Sequence, residues 1–343
     1  MYSIAQKLLF CLPPESSHNV ALKAIEHLPD SALRQFQVKH LIDTPRHVMG
    51  LHFPNAVGLA AGLDKNADFF NSLAQFGFGF IEVGSVTPKA QPGNDKPRLF
   101  RLTGHQAIIN RMGFNNKGLQ HLIDQVKNRR FNGVLGINIG KNLTTPIAQA
   151  DQDYAAGLAG AYPYADYITV NISSPNTPGL RNLQLGEQLQ QLLASIKNCQ
   201  RDLAQEHGRL VPVAVKIAPD MSSDDISTFC DAARKFNIDG VIAGNTTSSR
   251  NGVEKSQHHS EAGGLSGRPL TEKARQTISH LAQRLQGEIP IIGCGGISSG
   301  EDAVAHLKAG ADLIQIYTGF IYRGPELINE ARHAIKLSEE KHG

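Results

Sequence analysis

The sequence predicts an α/β fold: a (β/α)8 barrel of the TIM type, preceded by an N-terminal amphipathic helical extension. Three observations carry this. Eight short, nearly continuous apolar runs alternate with stretches long enough for helices, the pattern of a parallel sheet buried on both faces. Eight such units is the number that closes a barrel. A chain of 343 residues also leaves room ahead of a barrel of about 250 residues, and 33 glycines supply tight turns between strands and helices.

Residues 1–45 stand apart from the barrel unit, 46–343. Ile4, Leu8, Leu9 and Leu12, then Val20, Ala21, Ala24, Ile25 and Leu28, recur at helical spacing and predict two short amphipathic helices. Two readings are open for them: a helical hairpin capping the barrel's open N-terminal end, or a surface that docks on a membrane. Lys7, Lys23, Arg34 and Lys39 favour an anionic surface only weakly. The eight runs follow at residues 57–60, 80–84, 134–139, 167–172, 213–217, 240–243, 291–293 and 313–317. Between the sixth run and its helix lies a long polar loop, 248–266, and loops of that length are usually functional or mobile.

Side chains at the C-terminal ends of barrel strands converge on one mouth. Here they include Lys65, Ser85, Thr87, Asn138, Asn171, Ser173, Ser174, Lys216, Asn245 and Thr246, with Asn110 joining from a loop. A single asparagine or serine after a strand usually makes a local turn. Five or six together can instead match the donors and acceptors of a planar, amide-rich ring, pyrimidine-like or flavin-like. Lys216, inside the run Val213-Ala-Val-Lys-Ile217, places a cation where an unpaired charge is costly, so it meets an anion: a cofactor that becomes negative on reduction, or a carboxylate within the barrel. Lys65 faces a choice between a substrate carboxylate and the surface. Gly295 and Gly296, read as opening a helix after the seventh run, together with Tyr317-Thr318-Gly319 after the eighth, form a phosphate site in the usual barrel position. Gly263, Gly264 and Gly267 add backbone donors to the same group.

Other chemistries are disfavoured. A net charge of +3 without a basic stripe argues against nucleic acid. Cys11, Cys199, Cys230 and Cys294 form no C-x-x-C pair, so neither zinc nor iron–sulfur ligation is written here, and a reducing, cytoplasmic setting fits. No metal site is expected: His258 and His259 read as solvated, and no His/Asp/Glu cluster has ligand spacing. Ser173 and Ser174 lack a G-x-S-x-G elbow, which argues against acyl-enzyme chemistry. With no export signal and no apolar stretch of about 18 residues, the chain is expected to be neither exported nor transmembrane.

The segments GLAAGLDK, TPKAQPGNDKPRLFRL, INRMGFNN, GVLGINIGKN, NISSPNTPGLR, VKIAPD, GGLSGRPL and IIGCGGI, taken in order, closely resemble class 2 dihydroorotate dehydrogenases, along nearly the whole chain. The resemblance implies FMN across the barrel mouth, contacted by Ala61, Gly62, Leu63, Asp64, Lys65, Ser85, Asn138, Asn171, Lys216, Gly244, Gly267, Gly296, Tyr317 and Thr318. It implies dihydroorotate, and its product orotate, held by Lys65, by the loop Asn110, Arg111, Met112, Gly113 and Phe114, and by Asn171, Asn176, Asn245 and Thr246. Ser174 matches the family's base, where class 1 enzymes have cysteine, and Thr177 with a water matches its proton relay. His18, Arg101 and Tyr317 match a quinone site beneath the N-terminal helices. The resemblance further implies a membrane quinone as acceptor, peripheral contact with lipid at the cytoplasmic face of the cell (inner) membrane, and no iron–sulfur partner subunit. Two positions depart from the family pattern. Ser85 stands for a threonine and keeps the hydroxyl, whereas Gly244 stands for a threonine and leaves only backbone to meet FMN. The stretch 250–261 matches little, so the form of the lid expected there stays open.

Overall fold

The computed structural model describes residues 2–37 and 44–341. Lys39 lies outside them. Strands β1 (Arg46–Val48) and β2 (Leu51–Phe53) form a hairpin, and β3 (Val57–Leu59) and β4 (Phe80–Val86) open the barrel. Strands β5 (Leu99–Leu102) and β6 (Ala107–Asn110) lie outside it, followed by β7 (Val134–Ile139), β8 (Tyr167–Asn171), β9 (Val213–Ile217) and β10 (Gly240–Ala243). The last are β11 (Gly264–Gly267), β12 (Ile291–Cys294) and β13 (Leu313–Ile316). The barrel closes in chain order, β3-β4-β7-β8-β9-β10-β12-β13 and back to β3, every pairing parallel. Each of the eight runs read from the sequence became one of these strands.

The outer ring contains α4 (Phe70–Ala74), α5 (Leu119–Val126), α6 (Ala150–Ala161), α7 (Gly186–His207), α8 (Ser223–Lys235), α9 (Thr271–Leu285), α10 (Gly300–Lys308), α11 (Thr318–Arg323) and α12 (Glu326–Glu340); the extension contributes α1 (Tyr2–Phe10), α2 (Pro14–His27) and α3 (Asp30–Arg34). Aromatic rings fill the lower barrel, and glycines make way for them. A Cβ on Gly58 would lie 2.3 Å from the Phe80 ring, and one on Gly136 would lie 2.2 Å from that of Tyr167.

The barrel's N-terminal end is closed by the β1–β2 hairpin, which the sequence reading missed. Phe53 meets Phe80 edge-on at 5.2 Å, and Met49 lies against Gly240, the first residue of β10. The helical extension sits at the other end. Tyr2 Oη donates to the Ile321 carbonyl at 2.7 Å and Gln6 Nε2 to that of Tyr322 at 2.7 Å, both on α11, which starts where β13 ends. Arg98 clasps Glu15 of α2 with two bonds, 2.7 and 3.2 Å, and Arg101 donates to the Leu12 carbonyl. Burial would raise the Glu15 carboxyl, but Arg98 and Lys96 outweigh it and hold it below the usual carboxylate range. The helices therefore cover the mouth side, which removes the reading of a lid on the N-terminal end.

The loop read as 248–266 is shorter than expected, because Gly264–Gly267 pairs with β6 in a β11-β6-β5 sheet beside the mouth. Val253 is fully buried in a small core with Phe100, Leu102, Ala107, Ile109 and Leu265, and Arg250 donates to the carbonyls of His259, Glu261 and Gly263. One apolar anchor and one arginine thus fold the segment, which is why no long apolar pattern announced it.

Candidate active site

A chain of hydrogen bonds runs around the barrel mouth. Asn245 Nδ2 donates to Ser173 Oγ (2.8 Å), which donates to Asn171 Oδ1 (2.8 Å). Asn171 Nδ2 donates to Ser85 Oγ (2.9 Å), Ser85 to Asn138 Oδ1, and Asn138 Nδ2 to Glu82 (2.8 Å). Glu82, fully buried, also accepts from Tyr167, Thr169 and Gln315 at 2.8, 3.0 and 2.8 Å. Because each member has a partner, these groups rest at low cost beneath the mouth and hold one orientation. Glu82 and Gln315 were missed in the sequence, although a charge in FIEVGSV and an amide in LIQI gave the same signal as Lys216.

Above this layer opens a cleft of ≈ 980 Å³, counting its open mouth. Of the residues expected to bind cofactor, Ala61, Gly62, Lys65, Ser85, Asn171, Lys216, Gly267, Gly296, Tyr317 and Thr318 line it. So do Asn110, Met112, Gly113, Phe114, Asn176, Asn245 and Thr246 of the expected substrate set, and Ser174. Residues not anticipated there include Ser266, Cys294 and Gln315. Ser173 and Ser174 are separated by the alternation of the chain. Ser173 is locked into the asparagine chain, while Ser174, 7% exposed, faces the cleft and its Oγ accepts from the Asn176 amide at 3.2 Å.

Several expected residues lie elsewhere. Asn138 is fully buried under Ser85 and reaches the cleft only through it. Asp64 is buried and accepts from the Asp68 and Phe69 amides at 3.0 and 2.7 Å, which makes it a turn former; burial pushes its carboxyl up to about 6. Arg111 turns outward to Glu261 (2.7 Å) and the Pro97 carbonyl (2.8 Å), stitching the segment 250–261 to its neighbouring loop. Thr177 is buried outside the cleft lining, and among the described residues no hydrogen bond joins it to Ser174.

Gly244 also lies outside the lining. Its φ is +125°, and a Cβ there would stand 2.0 Å from the Cys294 carbonyl, so this backbone cannot accept the side chain the family pattern places here. Gly244→Ala is expected to lower stability by at least about 1 kcal/mol, read as a fall in Tm. An unchanged Tm would show that the strand end relaxes freely.

Lys216 is 4% exposed, and among the described residues no carboxylate pairs with it. This sets aside a structural ion pair inside the barrel and leaves a buried cation aimed at whatever fills the cleft. Two polar atoms of the cleft lining also lack a partner among the described residues, Thr246 Oγ1 and Gln315 Oε1. The phosphate loop differs in one respect from expectation. Gly295 and Gly296 do not open a helix: α10 starts at Gly300, capped by Ser299 Oγ on the Asp302 amide at 3.1 Å. The nearby helix start is that of α11, whose Thr318 and Gly319 line the cleft with Gly296 and Gly267, Gly267 packing against the Thr318 side chain. A Cβ on Gly296 would meet Thr271 Cα at 2.2 Å, so the loop packs too tightly for any other residue.

A second cavity, ≈ 1260 Å³ with its open end, lies between the extension and the barrel. Its walls are mainly apolar, among them Leu9, Phe10, Ala21, Ile25, Leu63 and Phe320, with His18, Arg101 and Tyr317 the main polar groups. Tyr317 lines both cavities. Burial, then the charge of Lys65, pushes His18 down to about 3, so its ring is neutral near pH 7. Arg101 stacks on Phe10 at 4.4 Å, and its Nη1 is buried without a partner among the described residues. The apolar pattern of the extension therefore has two faces. Leu9, Ala21, Ala24 and Ile25 line the cavity, whereas Ile4, Leu8 and Val20 are 67%, 69% and 49% exposed on the outside. No described helix is long and apolar enough to cross a membrane, and no group of described residues could hold a metal ion.

Comparison with known proteins gives a consistent result. The dihydroorotate dehydrogenase family model matches residues 45–337. Dihydroorotate dehydrogenase (quinone) of Marinobacter nauticus is 58% identical over 98% of this chain and 99% of its own, and that of Saccharophagus degradans is 58% identical over the same shares. A crystal structure of the Eimeria tenella enzyme in complex with ferulenol superposes with a TM-score of 0.88 at 34% identity, covering 96% of this chain and 92% of that one. With its barrel, its cleft and an extension aligned end to end with the quinone-linked relatives, the chain belongs to the dihydroorotate dehydrogenase family, in its quinone-dependent class.

Proposed function

We propose that this protein oxidises dihydroorotate to orotate for pyrimidine synthesis, using FMN in the cleft and a membrane quinone in the second cavity. The observation that carries the reading is Tyr317, one side chain walling both an amide-lined cleft with a buried lysine that no carboxylate pairs among the described residues and an apolar cavity behind it. The lining suits FMN: the glycine loop and the α11 start offer backbone N–H groups for a phosphate, Gln315 and Asn171 offer amides for a ring edge, and Lys216 compensates negative charge there. Held there by Lys216, Asn171 and the glycine loop, FMN would supply the acceptor for a hydride from the substrate's C6 and the electrons for the quinone.

The protein's own task at the substrate is to take the C5 proton. Ser174 Oγ is assigned that role, with Thr177 and a water as its outlet. Asn110, Asn176, Asn245 and Thr246 hold the ring by its amide edges, and Thr246 Oγ1 gains the partner it lacks. The exposed Ile4 and Leu8 of α1 and Val20 of α2 give the outer face of the extension to lipid, at the cytoplasmic side of the inner membrane.

Lys65 is assigned to the substrate carboxylate. Burial, the largest influence, draws its ammonium down to about 8, so the cation present below that pH is lost as pH rises through it. Orotate affinity, read from its perturbation of the flavin spectrum, is therefore expected to hold from pH 6 to 7 and fall above about 8. Uracil, which lacks the carboxylate, is expected to bind far more weakly. Equal affinity for uracil, or no loss of orotate affinity at alkaline pH, would overturn the assignment.

A further inference from the structure

Arg181 lies outside the cleft, in the 3-10 turn Leu180–Gln184, yet its guanidinium joins two segments of the cleft wall to the loop that follows β9. Nε donates to the Ser173 carbonyl at 2.9 Å, Nη2 to the Thr246 carbonyl at 2.9 Å, and Nη1 to Asp220 Oδ2 at 2.8 Å. Asp220 follows β9 and also accepts from Lys273 Nζ of α9 at 2.6 Å, from the Thr247 hydroxyl, and from the Ser248 amide at 2.9 Å. The rigid fork of arginine can hold three such acceptors at once; a lysine in its place is a single point of charge.

The bonded atoms explain why this matters. The Ser173 carbonyl and the Ser174 amide belong to one planar peptide, so holding the carbonyl sets the peptide plane from which Ser174 departs and narrows the directions its hydroxyl can take. Thr246 O belongs to the peptide that leads into Thr247 and Ser248, where the lid segment leaves the barrel. Arg181 and Asp220 thus tie the base's peptide, a substrate-contacting residue and the root of the lid to one ionic pair.

We propose that Arg181, braced by Asp220, is a positioning residue that sets the Ser174 hydroxyl over the substrate's C5 and latches the root of the lid. The proposal rests on the reading of Ser174 as base. A misplacement of about 1 Å costs on the order of 10²-fold in rate, so Arg181→Ala is expected to slow anaerobic reduction of the FMN holoenzyme by about that factor. The decisive readout is isotopic. Displacing the base slows C5–H cleavage selectively, so dihydroorotate deuterated at C5 is expected to show a larger isotope effect in the variant than in the parent, with the C6 effect no larger. Reoxidation by quinone after chemical reduction stays as in the parent.

A merely structural role would lower the active fraction and leave both isotope effects where they were, and that result, or reduction at the parent rate, overturns the proposal. If Arg181→Ala does not retain FMN, Arg181→Lys, which keeps the charge and loses the fork, is measured against the same criteria. Ser174→Ala in the same series separates the two claims. Full-rate reduction there removes the base assignment and the proposal with it, whereas slow Ser174→Ala beside unaltered Arg181 variants removes the strut alone.

Discussion

Ser174→Ala is expected to retain flavin and to lose about 10² to 10⁴ in the rate of flavin reduction by dihydroorotate near neutral pH, the usual worth of a positioned general base. Flavin should stay bound because the change removes one oxygen from the wall and leaves Lys216, Gln315 and the glycine loop in place. Folding should tolerate the loss of the oxygen: among the described residues its one hydrogen bond is from the Asn176 amide, 3.2 Å away and only partly buried, so the loop is not left with a deeply buried donor. The loss therefore reports on chemistry. Ser173→Ala is the informative contrast, since Ser173 Oγ links Asn171 to Asn245 and its removal should weaken substrate binding and the asparagine chain together. Stopped-flow bleaching of the flavin measures both. Unaltered reduction by Ser174→Ala would place the base elsewhere.

Removing residues 1–40 should divide the two half-reactions. The barrel closes without them and the cleft is lined wholly by residues from Ala60 onward, so reduction by dihydroorotate is expected to continue near the parent rate. The second cavity is different, because α1, α2 and α3 form much of its wall. Without that wall a quinone has no preorganised site beside Tyr317, and reoxidation is expected to slow by about 10²-fold or more. Truncation also bares Leu63, Phe76 and Phe320, so detergent belongs in the assay. Quinone kinetics unchanged in the truncated protein would reduce the helices to a cover.

Glu15 offers a gentler version of the same cut. Among the described residues its clasp by Arg98 is the extension's main ionic tie to the barrel, so Glu15→Gln should loosen α2 without deleting it.

How far the molecule was legible in its sequence depends on range. Strands buried on both faces are written as continuous apolar runs, so all eight barrel strands could be read. The two-residue turn at Met49–Gly50 joins strands of three residues each, too short for any period to register, and the hairpin that plugs the barrel was missed. Periodicity found α1 and α2 but not their place, because a helix with apolar residues on two faces reads the same whichever end of the barrel it covers. Lys216 was noticed as a charge within a strand; Glu82 and Gln315 carried the same mark and now appear as the floor beneath the cleft. Arg181 and Asp220 were hidden for another reason. Three of their partners are backbone atoms, all but the Ser173 carbonyl lie from 27 to 65 positions away, and no local pattern records such bonds. Gly244 shows the opposite limit: the sequence revealed a departure from the family pattern, but only the fold shows the Cys294 carbonyl that occupies the space.

The central claim, that one cleft oxidises dihydroorotate and passes its electrons across Tyr317 to a quinone, is tested most directly by a two-step anaerobic titration of the full-length protein. Dihydroorotate is added first and a soluble quinone second, with flavin absorbance followed throughout. The expected result is loss of the oxidised flavin band on the first addition, with orotate formed in proportion, and its return on the second. A flavin that stays oxidised with dihydroorotate, or one that bleaches but is not restored by quinone, would contradict the account.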